Sequence, residues 1–159
     1  MGFGMASNIR KKMPSTAVLY IYDVYRPSCE QFQEVMKEVG SIVISDSPRE
    51  AAENAGAVVS IVPGANEVRQ VYLDEASGVI SSKADSSRLI LECSTIDSQS
   101  SREVGEALLA AGRGNYVDAP VSVGTSVDKP NVNNSVSATN CVSQTRAVFQ
   151  PQTKGHCHS

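Results

Sequence analysis

The chain reads as an α/β protein: a parallel sheet with helices on both faces. Three observations predict this. Short apolar runs at 17–22, 41–45, 57–62 and 88–93 alternate with stretches of helical period. The runs are apolar almost throughout, as strands covered on two faces are. Their carboxyl ends carry Asp23, Pro63 and Thr95, and ligands in such folds bind where strands end.

Each element has a local cause. Residues 3–13 keep a helical period, with Phe3, Met5, Ile9 and Met13 near one face and Asn8, Lys11 and Lys12 near another. Pro14 and Ser15 stop that helix, and the basic residues Arg10, Lys11 and Lys12 suit the negative end of its dipole. Residues 17–22 form a buried strand closing on Asp23. Pro27 and Ser28 open a second helix to about residue 39, with Phe32, Val35 and Met36 apolar and Gly40 just past its end. Residues 41–45 are the next strand. Ser47 caps a short helix over 49–55, with Pro48 at its first position.

The strand at 57–62 stops at Pro63-Gly64, and 66–73 is helical for a turn or two. The run Leu89-Ile90-Leu91-Glu92-Cys93 is a strand that buries Cys93. Asp97 starts a helix to about residue 111, with Val104, Leu108 and Leu109 inward, and Gly112 and Gly114 end it. Tyr116-Val117-Asp118 is a brief strand. From Thr125 onward no period is visible, and a Ser-, Thr- and Asn-rich composition predicts disorder. The organisation is therefore a domain at 1–124 and a polar tail at 125–159.

Composition narrows the function classes. The chain has 159 residues, room for one domain, and is 41% hydrophobic, enough for a core. A net charge of −3 without a basic stripe argues against nucleic acid. No apolar run approaches the roughly 18–20 residues of a membrane span. Ala6 stands where myristoylation needs Ser or Thr. Cys29, Cys93, Cys141 and Cys157 follow no secretory signal and form no CxxC pair. Reduced thiols in a cytoplasmic or mitochondrial protein, not a secreted one, are expected. His156, Cys157 and His158 lack a fourth ligand, so no metal site is expected.

A dinucleotide site needs a glycine turn opening a helix and an acidic residue about 20 positions later. Gly2 opens the first helix, and Asp23 ends the following strand at that distance. Each residue also has a plainer reading. Gly2 can be an ordinary helix start, Pro63 a strand terminator, and Thr95 part of a helix cap that Asp97 alone could supply.

Four strings occur in order: Met1-Gly2-Phe3-Gly4-Met5-Ala6-Ser7-Asn8, Val62-Pro63, Ser94-Thr95-Ile96-Asp97 and Asp118-Ala119-Pro120-Val121-Ser122-Val123-Gly124. Together they resemble the β-hydroxyacid dehydrogenases, the family of 3-hydroxyisobutyrate dehydrogenase, related to the NAD(P)-binding domain of 6-phosphogluconate dehydrogenase. The resemblance covers residues 1–124. It implies an incomplete Rossmann-type sheet, because Gly2 matches the last glycine of the GxGxxG turn and no first strand precedes it. It implies NAD or NADP as cofactor, with Gly2, Asp23, Val62, Pro63 and Thr95 around it. Asp23 favours NAD by accepting from both ribose hydroxyls, and Arg26 is near enough to soften its repulsion of a 2′-phosphate.

The substrate implied is a small hydroxyacid, hydroxyisobutyrate first, with threonate-like, tartronate and phosphogluconate-type acids open. Ser122 and Gly124 would hold its carboxylate. Val123 departs from the family's glycine pair and brings a β-branched side chain where backbone must approach substrate. The family's catalytic lysine sits in a G-x-G-x-x-x-K-x-x-x-N helix. Neither Lys129 nor Lys154 has that setting, so no catalytic residue is assigned and the chain is expected to be inactive alone. Two other readings stand beside this one. One is a non-catalytic nucleotide-binding or interaction module that associates with a full-length relative. The other is a gene fragment without separate function.

Overall fold

Alternation of strand and helix carries through the computed structural model, which describes residues 2–121. The tail at 125–159, with Ser122, Val123 and Gly124, lies outside the described residues. Helix α1 (Gly2–Lys12) leads to strand β1 (Leu19–Ile21), α2 (Arg26–Met36) and β2 (Ile42–Ile44). Then come α3 (Pro48–Glu53), β3 (Ala57–Ser60), α4 (Ala65–Leu73), a 3-10 turn (Val79–Ser81), β4 (Leu89–Glu92), α5 (Ser98–Ala110) and β5 (Asn115–Asp118).

Local chemistry places the boundaries. Ser47 Oγ accepts from the Glu50 N–H, with Pro48 opening α3. Asp97 Oδ1 accepts from the Ser100 N–H at 2.9 Å and caps α5. Gly112, at φ 64, ends α5 in the left-handed region that glycine tolerates. The 3-10 turn is absent from the sequence reading. It hangs on Asp74, whose Oδ1 accepts from the N–H groups of Ala76 and Ser77, and on Gly78, where a Cβ would meet Asp74 O at 2.6 Å.

All the strand pairs are parallel, but the strands fall into two sheets. One is β1–β2, with Leu19 beside Ile42 and Ile21 beside Ile44. The other is β3–β4–β5, with Val58 beside Ile90 and Ile90 beside Tyr116. Among the described residues, β1 and β3 do not pair. The facing edges follow from the ladder: the Leu19 N–H donates to Ser41 O and the Ser45 N–H to Ile21 O, so the backbone groups of Tyr20 point away from β2. In β3, Gly56 O and Ser60 O accept from β4, and the groups of Ala57 and Val59 point the other way.

Two expectations are corrected here. The run at 17–22 is not a buried strand: Leu19, Tyr20 and Ile21 are half-buried, and Val18 and Tyr22 are exposed. A buried strand needs neighbours at both edges, and among the described residues β1 has one. Leu109 does not face inward. It is 67% exposed, because the inward stripe of α5 runs through Val104 and Leu108, and the next residue turns about 100° away.

Each sheet has its own core. Phe32, Met36 and Ile42 bury against Ala6, Leu19 and Ile21, and Phe3 packs edge-on to Phe32 with centroids 5.1 Å apart. Ala52, Val68, Tyr72, Val79, Ile90, Val104 and Leu108 form the larger core on the three-stranded sheet. A fully buried arginine ties loops together at the amino ends of each sheet. Arg10 donates to the carbonyls of Ala17 and Pro14 at 2.6 Å and of Ser41 at 3.3 Å. Arg88 donates to Arg113 O at 2.9 Å, Ser82 Oγ at 3.1 Å and Ala55 O at 3.3 Å.

Candidate functional site

With loops at the amino ends held by arginines, the carboxyl ends are left to shape a cleft. Helix α1 starts there: a Cβ on Gly2 would lie 3.5 Å from Ile61 Cγ2, just beyond β3. A cleft of about 380 Å³ opens at this point, lined by Gly2, Ile61, Val62, Pro63, Cys93, Ser94, Thr95 and Val121. Four residues singled out from sequence, Gly2, Val62, Pro63 and Thr95, thus share one cleft although they span most of the described chain.

The walls are two turns. One joins β3 to α4 and carries Val62 and Pro63. The other joins β4 to α5 and carries Ser94 and Thr95. The Val62 N–H donates to Ser94 Oγ at 2.7 Å, which ties the two. Asp97 caps α5 through Ser100, with Oδ2 accepting from Ser100 Oγ at 2.6 Å. Those Ser100 bonds hold its carboxyl below the usual carboxylate range. Because Asp97 makes the cap, exposed Thr95 is left on the cleft wall. Farther back, Arg69 on α4 donates to Glu103 at 2.9 Å and to Ser100 Oγ at 3.0 Å on α5.

The DAPV segment extends the ladder past β5. The Ala119 N–H donates to Glu92 O and the Val121 N–H to Cys93 O, which brings Val121 to the cleft. Ser122 follows it, and Ser122 and Gly124 lie outside the described residues.

Asp23 stands apart from this cleft. It is exposed beyond the carboxyl end of β1, and its Oδ1 accepts from the Tyr25 N–H at 2.8 Å. Arg26 pairs elsewhere, with Asp46 at 2.7 Å and Glu30 at 3.5 Å. Its guanidinium is therefore turned toward carboxylates.

Cys93 also lines the cleft. Burial, and then the charge of Glu92, push its thiol up from the ordinary value, so the thiolate is scarce near neutral pH. The sequence reading missed Ser94 and Glu92. Ser94 lies inside the Ser94-Thr95-Ile96-Asp97 string, next to Thr95. Glu92 is the single charged residue in an apolar run, and that isolation was the available signal.

The family model for the NAD binding domain of 6-phosphogluconate dehydrogenase matches residues 1–142. Mitochondrial 3-hydroxyisobutyrate dehydrogenase of Mus musculus is 33% identical over 124 residues, 78% of this chain. An NAD-dependent L-serine dehydrogenase of Pseudomonas aeruginosa is 31% identical over 125 residues, 79% of this chain and 38% of its own length. The chain spans about a third of the length of the curated relatives it matches, 34% for the mouse protein. Among solved structures, 3-hydroxyisobutyrate dehydrogenase from Mycobacterium tuberculosis superposes with a TM-score of 0.62 at 25% identity, covering 78% of this chain and 38% of that one. The enzyme of the same name from Salmonella typhimurium gives 0.58 at 30%, covering 77% and 38%. Among the described residues, no helix is long and apolar enough to cross a membrane. A Rossmann-like parallel fold, a cleft at its strand ends and a family match over most of the chain converge: the chain belongs to the family of the NAD-binding domain of 6-phosphogluconate dehydrogenase, alongside the 3-hydroxyisobutyrate dehydrogenases.

Proposed function

We propose that the cleft at the start of α1 holds a nicotinamide dinucleotide, and that the chain is the cofactor-binding part of a β-hydroxyacid oxidoreductase. The observation that carries this reading is the joint presence of Gly2, Val62, Pro63 and Thr95 in one cleft. The donor set fits. An eleven-residue helix starts at the cleft; the first N–H groups of a helix have no partner within it and suit a pyrophosphate, and a glycine there keeps the approach open. Val62 and Pro63 offer an apolar wall, and Thr95 a hydroxyl. Asp23 would take the ribose hydroxyls, which favours NAD over NADP.

When bound, the cofactor supplies hydride transfer; the protein's part is to bind and orient it. Ser122 and Gly124 would hold the carboxylate of a small hydroxyacid, hydroxyisobutyrate first. The cofactor domain would be 1–124 and the tail 125–159 a separate segment. No lysine of the 159 residues stands in the family's catalytic setting, so turnover alone is not expected, and association with a full-length relative is the natural context. By likeness to the mitochondrial relatives, the mitochondrion is the first compartment to examine.

Titrating the 159-residue chain with NADH, followed by the reduced nicotinamide's fluorescence, tests the reading. A saturable change displaced by NAD is expected. A linear, non-saturating signal that NAD leaves untouched would exclude it.

A further inference from the structure

Glu92 occupies a core position. On β4 it shares a face with Ile90, both are fully buried, and it sits opposite Ser60 of β3 in the parallel register. Among the described residues no cation forms a salt bridge with it. A buried carboxylate in that state needs hydrogen bonds on each oxygen. It has them: Ser60 Oγ donates to Oε2, and the Ser94 N–H donates to Oε1 at 2.7 Å.

The two bonds lead in different directions. Through Ser60 the network runs into the core, where the Tyr72 hydroxyl lies 2.5 Å from Ser60 Oγ. Burial, chiefly, and then the charge of Glu92 hold the Tyr72 phenol well above its ordinary value, so it keeps its proton and can donate to Ser60. Through Ser94 the network runs to the cleft, where Ser94 Oγ accepts from Val62 N–H. Glu92 therefore joins the buried hydroxyls of the core, on Ser60 and Tyr72, to the turn that lines the cleft.

We propose that Glu92 is a positioning residue for the nucleotide cleft: by fixing the Ser94 amide it orients the Ser94 hydroxyl that holds the Val62 turn, and so sets nucleotide affinity without touching the nucleotide. This rests on the nucleotide reading of the cleft.

The test uses the full 159-residue chain, with NADH fluorescence for affinity, thermal unfolding for stability and amide exchange at Val62 for the turn. Ser94→Ala cuts the cleft arm and leaves Glu92 with its amide partner. It is expected to weaken NADH binding at least fivefold and to speed Val62 exchange, with little change in unfolding temperature. Tyr72→Phe cuts the core arm: the unfolding temperature falls while NADH affinity stays within twofold. Glu92→Gln can still accept from the Ser94 amide and should retain affinity within about threefold. Glu92→Leu should lose as much as Ser94→Ala, and the double variant no more than either, as one shared route requires. Should Glu92→Leu fail to fold, Ser94→Ala and Glu92→Gln decide alone. The proposal is overturned if wild type binds NADH and Ser94→Ala binds it equally well, or if the two losses add. If wild type binds no NADH, the nucleotide reading falls and takes the affinity claim with it. Exchange at Val62 then shows separately whether Glu92 fixes the turn.

Discussion

The guanidinium of Arg10 fills the space where a side chain at Gly40 would stand: a Cβ there would lie 2.8 Å from Cζ. Gly40 also holds φ 153, a conformation that L side chains rarely adopt. Arg10 thus closes the loops around β1 and β2 only because residue 40 lacks a side chain. Gly40→Ala should destabilise the chain by about 1–3 kcal/mol, from strain and displacement of the arginine. Arg10→Met should cost more, since it strips buried carbonyls of their donor. Urea midpoints at constant m measure both; an unchanged midpoint for Gly40→Ala would refute the coupling.

Tyr116 and Tyr72 make the fold sensitive to base. Burial pushes the Tyr116 phenol from 10.0 to about 12, and Tyr72 moves the same way. The native state therefore keeps protons that the unfolded chain has released. This contribution to stability is complete below about pH 10 and is lost as pH rises toward about 12. Tyr116→Phe keeps the ring edge-on to Tyr72, at a centroid distance of 5.9 Å in the parent. Its urea midpoint should fall less steeply over that window. Parallel curves for the two proteins would remove Tyr116 from the account.

Cofactor choice should follow Asp23, since Arg26 is engaged with Asp46 and Glu30. NAD should bind more tightly than NADP, and Asp23→Asn should narrow the gap by lowering repulsion of the 2′-phosphate. Paired titrations with NADH and NADPH decide this. Tighter NADPH binding by the parent chain would reverse the assignment of Asp23.

Turnover of 3-hydroxyisobutyrate by the purified chain should be undetectable. General acid–base help, worth roughly 10²–10⁴-fold, has no lysine in the family's setting to supply it. Spectrophotometric NADH production that tracks the protein through purification would contradict this.

How far the sequence could be read depended on whether a signal was local. Ser47-Pro48 fixed α3 and Asp97 fixed α5, because a cap and its partner lie within three residues of one another. Strand positions were legible from apolar runs, though most observed strands are shorter, since ladders end before the apolar character does. Arg10 and Arg88 were not legible. A basic residue near a helix end reads as solvated, and only the loops at 13–17 and 41 reveal a buried role for Arg10. The cleft was legible in its outer residues, Gly2 at a helix start and Val62, Pro63 and Thr95 just past strand ends, but not in its support. Glu92 and Ser94 matter through partners 32 positions away, Ser60 and Val62, and no local pattern announces such pairs.

Among the described residues β1 and β3 each keep one unpaired edge, which bears on how the protein behaves in concentrated solution. Val18, Tyr20 and Tyr22 flank one edge, and Ala57, Val59 and Ile61 the other. Neither carries the lysine, proline or bulge with which natural sheets discourage strand addition. Copies meeting edge to edge would satisfy backbone groups and bury valine and tyrosine in one step. Colloidal stability should therefore fail before the fold does. Light scattering should rise with protein concentration at temperatures where circular dichroism is still native, and a lysine at Val59 should delay it.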